Sequence, residues 1–188
     1  MKLKQWIILK RDLLLDLSPW LKVFKEKVRL PNGRIVDDYY TIDRPDYVEI
    51  VAMNRKKEIV GLWQYKHGIR RVHLNLPAGY IQNGESPLVA AKRELKEEVA
   101  LVSKEWNKLG EFFIEGNRSA SKVHLFVAYN CIKCKPVHSD DLEEQKIEWL
   151  TLEKWIMHIR KGDVPVIGSA IAIFMIALEY TITQTRRL

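Results

Sequence analysis

Residues 79–101 read GYIQNGESPLVAAKRELKEEVAL, and this stretch decides both the fold and the chemistry expected of the chain. A polar loop bounded by Gly79 and Gly84 is followed by a helix start, in which Ser86 supplies an N-cap oxygen and Pro87 occupies the first helical position. The apolar spacing beyond them predicts a helix that runs to about Val99.

Three glutamates crowd the second half of this predicted helix. Like charges three and four residues apart repel along a helix by roughly 0.2–0.5 kcal/mol per pair, so the grouping of Glu94, Glu97 and Glu98 indicates a cationic ligand. Arg93 stands four residues before Glu97 and is expected to orient it. A helical wheel predicts that the glutamates face away from the apolar side, which consists of Leu88, Ala91, Leu95 and Val99.

The whole spacing, G-x5-E-x7-R-E-x2-E-E, is far more specific than its parts. An ExxEE alone on a helix is usually a solvated face, whereas the full pattern arises by chance on the order of once in 10⁵ chains of this size. It resembles the signature box of the Nudix hydrolases, and the matching residues are Gly79, Glu85, Arg93, Glu94, Glu97 and Glu98, with Leu95 and Leu101 at the apolar positions. The glycine that usually follows the double glutamate is Ala100 here.

The resemblance extends to the ADP-ribose pyrophosphatase branch over roughly residues 22–180. LWQYK at 62–66 is similar to the RQYR strand of that branch, with Trp63 and Lys66 where arginines are usual. LPAGYIQNGES at 76–86 is similar to its LPAG segment, and KGDVP at 161–165 to its C-terminal end. The resemblance implies hydrolysis of a nucleoside diphosphate linked to a second moiety, ADP-ribose or another nucleotide sugar, giving AMP or another NMP and a sugar phosphate.

The same resemblance implies roles for individual residues. Mg²⁺, or Mn²⁺ in its place, would be held by the Ala78 carbonyl with Glu94, Glu97 and Glu98, while Arg93 orients Glu97. Glu85 would brace the loop and contribute with Lys66 and Gly79 to substrate binding.

The general base is implied in the acidic stretch DDLEEQKIEW at 140–149. Glu143 falls on the base position, Glu144 is the alternative after a one-residue shift, and Gln145 falls where that branch often has a further acid. Glu97 is a third candidate.

The pattern of elements predicts an α/β fold, a Nudix-type α/β/α sandwich with a mixed sheet, preceded by an N-terminal β-hairpin subdomain. Asn32-Gly33 predicts the turn of that hairpin, and a second hairpin is predicted around residues 54–57. Residues 1–45 are expected to form the hairpin subdomain and residues 46–188 the Nudix domain. The resemblance implies that the hairpin is exchanged in a homodimer.

The positive charge of the chain is unevenly distributed. The net charge of +7 comes from residues 1–75, which hold 16 Lys and Arg against 9 Asp and Glu, whereas residues 76–188 hold 15 of each. This basic excess favours an anionic ligand.

Cys131 and Cys134 lack the further ligands of a zinc site and predict reduced thiols in a cytoplasmic protein. The apolar run at 164–178 is shorter than a membrane span and predicts a buried helix.

Two alternatives stay open at this stage. The first is a non-catalytic Nudix-like module that binds a nucleotide or regulates a partner, although no recognised nucleic-acid motif is present. The second is a Nudix hydrolase of another substrate, such as NADH, GDP-mannose or capped RNA.

Overall fold

The computed structural model describes residues 3–136 and 144–185, which contain twelve strands and three helices. The strands are β1 Ile7–Leu17, β2 Leu21–Arg29, β3 Ile35–Asp43, β4 Tyr47–Ala52, β5 Ile59–Lys66, β6 Arg71–Asn75, β7 Ala78–Tyr80, β8 Leu101–Val102, β9 Glu105–Phe113, β10 Lys122–Tyr129, β11 Ile132–Lys133 and β12 Gln145–Leu150. The helices are α1 Pro87–Val99, α2 Leu152–Lys161 and α3 Ile167–Thr185. One compact unit comprises the chain up to Asp46 with Phe112–Lys122, and the other comprises the remainder.

The first unit is built on an antiparallel sheet of order β1-β2-β3. The predicted hairpin of β2 and β3 is confirmed, and its turn places Gly33 at a φ of 86°. Strand β1 adds a third strand that its sequence did not predict, because IILKRDLLLDL lacks the alternation of a half-buried strand. The Tyr39 hydroxyl of β3 donates a 2.6 Å hydrogen bond to the carbonyl of Asn117, which lies in the segment Phe112–Lys122 of the same unit.

The second unit contains a mixed sheet of order β7-β4-β10-β9 and an antiparallel sheet of order β12-β5-β6. Strands β8 and β11 form a further, two-stranded sheet in this unit. Strands β4 and β10 run parallel, with Ile50 opposite Phe126. The predicted α/β sandwich with a mixed sheet is confirmed.

The hairpin predicted around residues 54–57 is wrong beyond its turn. Strands β4 and β5 lie in different sheets, and their ends meet next to the turn through an antiparallel bridge between Met53 and Ile59 and a 3.0 Å hydrogen bond from the Asn54 amide to the Glu58 carbonyl. The polar turn signal is real, since the Asn54 side chain accepts a hydrogen bond from the Lys56 amide. Burial decides the pairing of the strand instead, since residues 48–52 are all buried. The backbone hydrogen-bonding groups of β4 are paired with β7 on one side and with β10 on the other.

Strand β4 has helices on both of its faces. Val48 and Ile50 belong to one apolar cluster that includes Leu95 of α1. Val51 belongs to the opposite cluster, which includes Ile173 of α3. Because successive side chains of a strand point to opposite faces, the mixed sheet is the middle layer of three.

Helices α2 and α3 lie close to their predicted positions. Gly162 ends α2 with a φ of 78°, as its place after the last apolar residue predicts. Helix α3 buries Ala172, Ile173 and Ile176, while Phe174 is 48% exposed, so the expectation of a buried helix holds for one face. Within the described ranges, none of the helices has both the length and the apolar character to cross a membrane.

Candidate active site

Strand β7 brings Ala78 and Gly79 alongside helix α1. It pairs antiparallel with β4, so that Gly79 lies opposite Val48. Gly79 approaches the helix so closely that a Cβ atom on it would overlap the Glu94 carboxylate. Glycine is needed at this position because a side chain would displace Glu94.

Helix α1 starts and ends at the predicted residues. The Ser86 hydroxyl accepts a hydrogen bond from the Val89 amide at 3.4 Å, and Pro87 is the first helical residue. Ala100 ends the helix in the left-handed conformation, with φ 51° and ψ 43°. Alanine therefore forms the turn for which the Nudix box usually has glycine, at a cost in backbone strain.

Glu98 is buried, with 7% of its surface exposed, and its carboxylate accepts a 2.8 Å hydrogen bond from the Ala78 amide. The expectation that all three glutamates face away from the apolar side is therefore wrong for Glu98. Seven residues make almost two full turns, so Glu98 stands above the fully buried Ala91.

Arg93 contacts three glutamates. Its Nη1 donates to Glu94 at 2.6 Å and to Glu97 at 3.0 Å, while Nε and Nη2 each donate to Glu85 at 3.0 Å. Hydrogen bonding to Glu85 raises the pKa of Arg93 most, burial opposes it, and the two other glutamates raise it further. Arg93 thus contacts Glu97, the partner expected from the spacing, and two further glutamates that the spacing did not predict.

Glu85 closes the loop between β7 and α1. Its carboxylate accepts a hydrogen bond from the Gln82 amide at 3.1 Å as well as those from Arg93. The hydrogen bond from Arg93 is the first cause that lowers the pKa of Glu85. Arg93 also donates to the Tyr80 carbonyl at 3.0 Å, so one guanidinium ties the loop to the helix.

The donor set fits a hard divalent ion. The carboxylates of Glu98 and Glu94 lie against Ala78 and Gly79, two residues joined by one peptide bond. Mg²⁺ prefers a few carboxylate or carbonyl oxygens together with water and phosphate oxygens. The structure therefore places two of the predicted ligand side chains, Glu94 and Glu98, beside Ala78 and Gly79, whereas the Glu97 side chain is 34% exposed and, like Glu94, bonds to Arg93.

Arg93 explains the conformation of these carboxylates. In residues 3–136 and 144–185, no group of three or more acidic, His or Cys side chains converges as a metal site. The guanidinium draws Glu94 and Glu97 to itself instead, since it is the cation next to them.

Two of the three candidates for the general base, Glu143 and Glu144, come directly before strand β12 in the sequence. Glu143 lies outside the described residues, and Glu144 is exposed. Gln145 follows them, and its Nε2 donates a 2.7 Å hydrogen bond to the Glu98 backbone carbonyl. Sequence reasoning treated Gln145 as a departure from the branch and missed this contact.

Lys66 lies half-buried at the end of β5, opposite Arg71 of β6. Lys66 and Arg71 thus place two positive charges at the same end of the antiparallel sheet. Burial is the main cause that lowers the pKa of nearby His73, and the charges of Arg71 and Lys66 lower it further. This end of the sheet is thus electropositive, as an anion-binding role of Lys66 requires.

Glu49 is a buried acid that sequence reasoning missed. It is 1% exposed, lies opposite Ala78 in the sheet and accepts a hydrogen bond from the Ser169 hydroxyl. Ser169 in turn accepts a 3.1 Å hydrogen bond from the Leu76 amide, which links α3 to the segment that leads into β7. Burial raises the pKa of Glu49 to about 8, and the bond from Ser169 opposes the shift. Its signal in the sequence is the lone acid within YVEIVAM.

Two family models match the chain. The model described as NUDIX domain matches residues 43–167, and the model described as Nucleoside diphosphate sugar hydrolase N-terminal domain matches residues 6–42. The chain belongs to the NUDIX family. The match includes every predicted site residue of this Nudix protein, and the resemblance stated from the sequence is confirmed.

Relatives of this Nudix protein include an ADP-ribose pyrophosphatase of Bacillus subtilis (strain 168), 26% identical over 160 residues that cover 85% of this chain and 86% of the relative. A Methanol dehydrogenase activator of Bacillus methanolicus is 27% identical over 161 residues, with the same coverage. An ADP-ribose pyrophosphatase of Mycobacterium tuberculosis is 28% identical over 142 residues, 74% of this chain and 68% of the relative. A solved structure titled as an ADP compounds hydrolase shares the fold, with a TM-score of 0.86 at 23% identity over 99% of both chains.

Proposed function

We propose that this Nudix protein hydrolyses ADP-ribose or another nucleotide sugar in a reaction that depends on Mg²⁺, with Mn²⁺ as a substitute. The observation that carries the proposal is the placement of the Glu94 and Glu98 carboxylates against the Ala78–Gly79 peptide within a matched NUDIX domain. Two relatives named ADP-ribose pyrophosphatase favour ADP-ribose among the nucleotide sugars.

Side chains and one carbonyl of the chain hold the ion in this proposal. Ala78, Glu94 and Glu98 provide oxygen ligands, and Glu97 is a further ligand or an assisting carboxylate. Arg93 keeps Glu94 and Glu97 in place through its hydrogen bonds. When bound, the metal neutralises diphosphate oxygens and lowers the pKa of the attacking water.

The reaction is attack of water on one phosphorus of the diphosphate. A new phosphorus–oxygen bond forms, the bridging phosphorus–oxygen bond breaks, and a carboxylate base takes the proton of the water. For ADP-ribose the products are AMP and ribose 5-phosphate. Glu143, Glu144 and Glu97 are the candidates for the base, and Lys66 contributes a positive point charge toward the phosphates.

The first unit supports a homodimer. Seven of the eleven residues of β1 are Ile or Leu, and each of them is between 41% and 58% exposed. An apolar surface of this kind marks an interaction site, and apolar interfaces are typical of permanent homodimers. We infer that residues 1–45 form a strand subdomain that contacts a second copy, and that residues 46–188 form the Nudix domain.

A reducing, cytoplasmic setting fits the cysteines. Cys131 and Cys134 are both free thiols, and burial raises the pKa of Cys131 to about 11, which makes its thiolate scarce. An unreactive thiol of this kind is ordinary in an intracellular protein.

A substrate panel with product identification tests the proposed function. Purified protein with Mg²⁺ or Mn²⁺ is given ADP-ribose, other nucleotide sugars, NADH, GDP-mannose and capped RNA, and AMP release from ADP-ribose is expected. Glu98→Gln should abolish turnover and keep the far-UV circular dichroism spectrum, whereas Glu153→Gln on the exposed start of α2 should leave turnover unchanged. Cleavage of none of these compounds would contradict the proposal, and tight binding without cleavage would identify a non-catalytic module.

A further inference from the structure

The C-terminal end of helix α1 has an unusual partner. The last four carbonyls of a helix have no partner inside it, and here the Ala100 amide, the first beyond the helix, bonds to the Lys96 carbonyl and to that of Leu95 before it. The Glu98 carbonyl, two residues beyond that of Lys96, accepts the 2.7 Å hydrogen bond from Gln145 Nε2. A side chain of β12 therefore caps the helix that carries the box glutamates.

Glu98 is consequently held at two points. Its carboxylate accepts from the Ala78 amide of β7, and its carbonyl accepts from Gln145 of β12. Strand β12 is itself held in register by β5, with Gln145 opposite Gln64. The anchor thus belongs to a sheet, which positions a side chain better than a loop does.

We propose that Gln145 is a positioning residue for the metal-binding Glu98, and that an amide rather than a carboxylate is required at this position. The inference rests on the proposed function, because it assigns Gln145 a part in holding the metal ligand. An ionised carboxylate cannot donate to the Glu98 carbonyl.

Charge adds to this requirement. Glu94, Glu97 and Glu98 already lie in the same part of the molecule, and the Arg93 guanidinium is shared among Glu94, Glu97 and Glu85. A further anion at position 145 would repel the cluster and the carbonyl end of the helix, where the dipole is negative. The amide of Gln145 supplies the hydrogen bond without adding charge.

Three variants separate these effects. Gln145→Met keeps the length of the side chain and removes the donor, whereas Gln145→Glu removes the donor and adds a charge. Thr151→Ala is the matched control, because it likewise removes one hydrogen bond at a helix end, that from the Lys154 amide to Thr151 Oγ1 at the N-cap of α2. All three should lower the thermal midpoint of unfolding.

The deciding measurement is Mn²⁺ affinity, from electron paramagnetic resonance of free Mn²⁺ at a temperature well below unfolding. Loss of an outer partner of a metal ligand typically weakens binding by about 10- to 100-fold. Gln145→Met should weaken Mn²⁺ binding about tenfold and Gln145→Glu more, while Thr151→Ala binds as the wild type does. Turnover measured at saturating Mn²⁺ should recover in Gln145→Met more fully than in Gln145→Glu.

The outcomes are distinct. Unchanged Mn²⁺ affinity in Gln145→Met would overturn the inference, even if that variant is less stable, because the contact would then be structural alone. Higher affinity in Gln145→Glu than in Gln145→Met would overturn it as well, since the position would then favour an acid. Failure of the wild-type protein to bind Mn²⁺ would overturn the proposed function itself and the inference with it.

Discussion

The Ala78 amide and the Glu98 carboxylate are joined by a 2.8 Å hydrogen bond between strand β7 and helix α1. This bond places a buried acid beside the peptide whose other residue, Gly79, makes room for Glu94. Two carboxylates that would repel each other on an isolated helix are thus fixed at one place by the sheet. The arrangement places the two carboxylates that we propose as oxygen ligands of the metal beside one segment of the chain.

Gly79→Ala tests whether the contact between strand and helix matters for activity. The added methyl group would overlap the Glu94 carboxylate, and a misplacement of about 1 Å in a catalytic group can cost about 100-fold in rate. We expect at least that loss in kcat, with weaker Mn²⁺ binding. Gly68→Ala is the control, because a Cβ there meets no atom within 4 Å. Equal activity of the two variants would contradict the role given to Gly79.

Arg93→Lys tests the guanidinium that holds three glutamates. A lysine cannot donate in the fork geometry that serves Glu85, so several charge-assisted hydrogen bonds are lost. We expect the free energy of unfolding to fall by about 2 kcal/mol, as measured by urea denaturation.

Saturating Mn²⁺ should stabilise the wild type more than Arg93→Lys and so enlarge that loss, because Arg93 holds the Glu94 and Glu97 carboxylates in place for the ion. The wild-type protein measured with and without Mn²⁺ provides the reference. An Arg93→Lys deficit that is the same in both conditions would contradict a part for Arg93 in placing these carboxylates for the ion.

Local signals predicted most of this site because its residues lie close together in the chain. The helix start at Ser86, the spacing of Arg93 from Glu97 and the glycine at 79 all follow from turn and helix geometry. What the sequence could not show are contacts between distant segments. Gln145 lies 47 residues beyond Glu98, and neither residue alone indicates the bond between them.

The same reasoning explains the errors in the fold. The β4–β5 hairpin was predicted from a polar turn, but pairing of β4 with β10 connects residues more than 70 positions apart, such as Ile50 and Phe126. Strand β1 was missed because apolar residues occur on both of its faces, so that it lacks the alternation by which a half-buried strand is recognised. Burial of Glu98 could have been found from the wheel, since seven residues separate it from Ala91.

Ala100→Gly tests the strained turn after α1. Ala100 has a φ of 51°, a region in which glycine avoids the clash of a Cβ atom. We expect the substitution to raise the free energy of unfolding by about 0.5–1 kcal/mol without a change in kcat. Ala100→Val should lower it, because a β-branched residue is a true outlier at positive φ. Destabilisation by glycine would show that the turn is not strained.

The apolar strand β1 gives a test of assembly. Leu13 and Leu15 are 51% and 43% exposed, and a lysine at either position would have to be buried in an interface that covers this strand. The double variant Leu13→Lys with Leu15→Lys should shift the mass found by light scattering from a dimer to a monomer. Lys10→Ala on the same strand, which removes an exposed pair with Asp12, should leave the dimer intact. A wild-type protein that is monomeric at all concentrations would contradict the homodimer.

Glu49 makes stability depend on pH in a direction that can be worked out. Its pKa is about 8 in the folded protein against an ordinary value of 4.5, so between these values the folded state holds one proton more than the unfolded state. The stability from this group is therefore complete below about pH 4.5 and is lost as the pH rises through about 8, by at most about 1.4 kcal/mol per pH unit.

Glu49→Gln cannot ionise, so its free energy of unfolding should decline less between about pH 5 and about pH 9 and exceed that of the wild type at the alkaline end. Glu153→Gln, at an exposed acid with a lowered pKa, should keep the wild-type slope over this range, and an unchanged slope in Glu49→Gln would mean that Glu49 is already ionised in the folded protein.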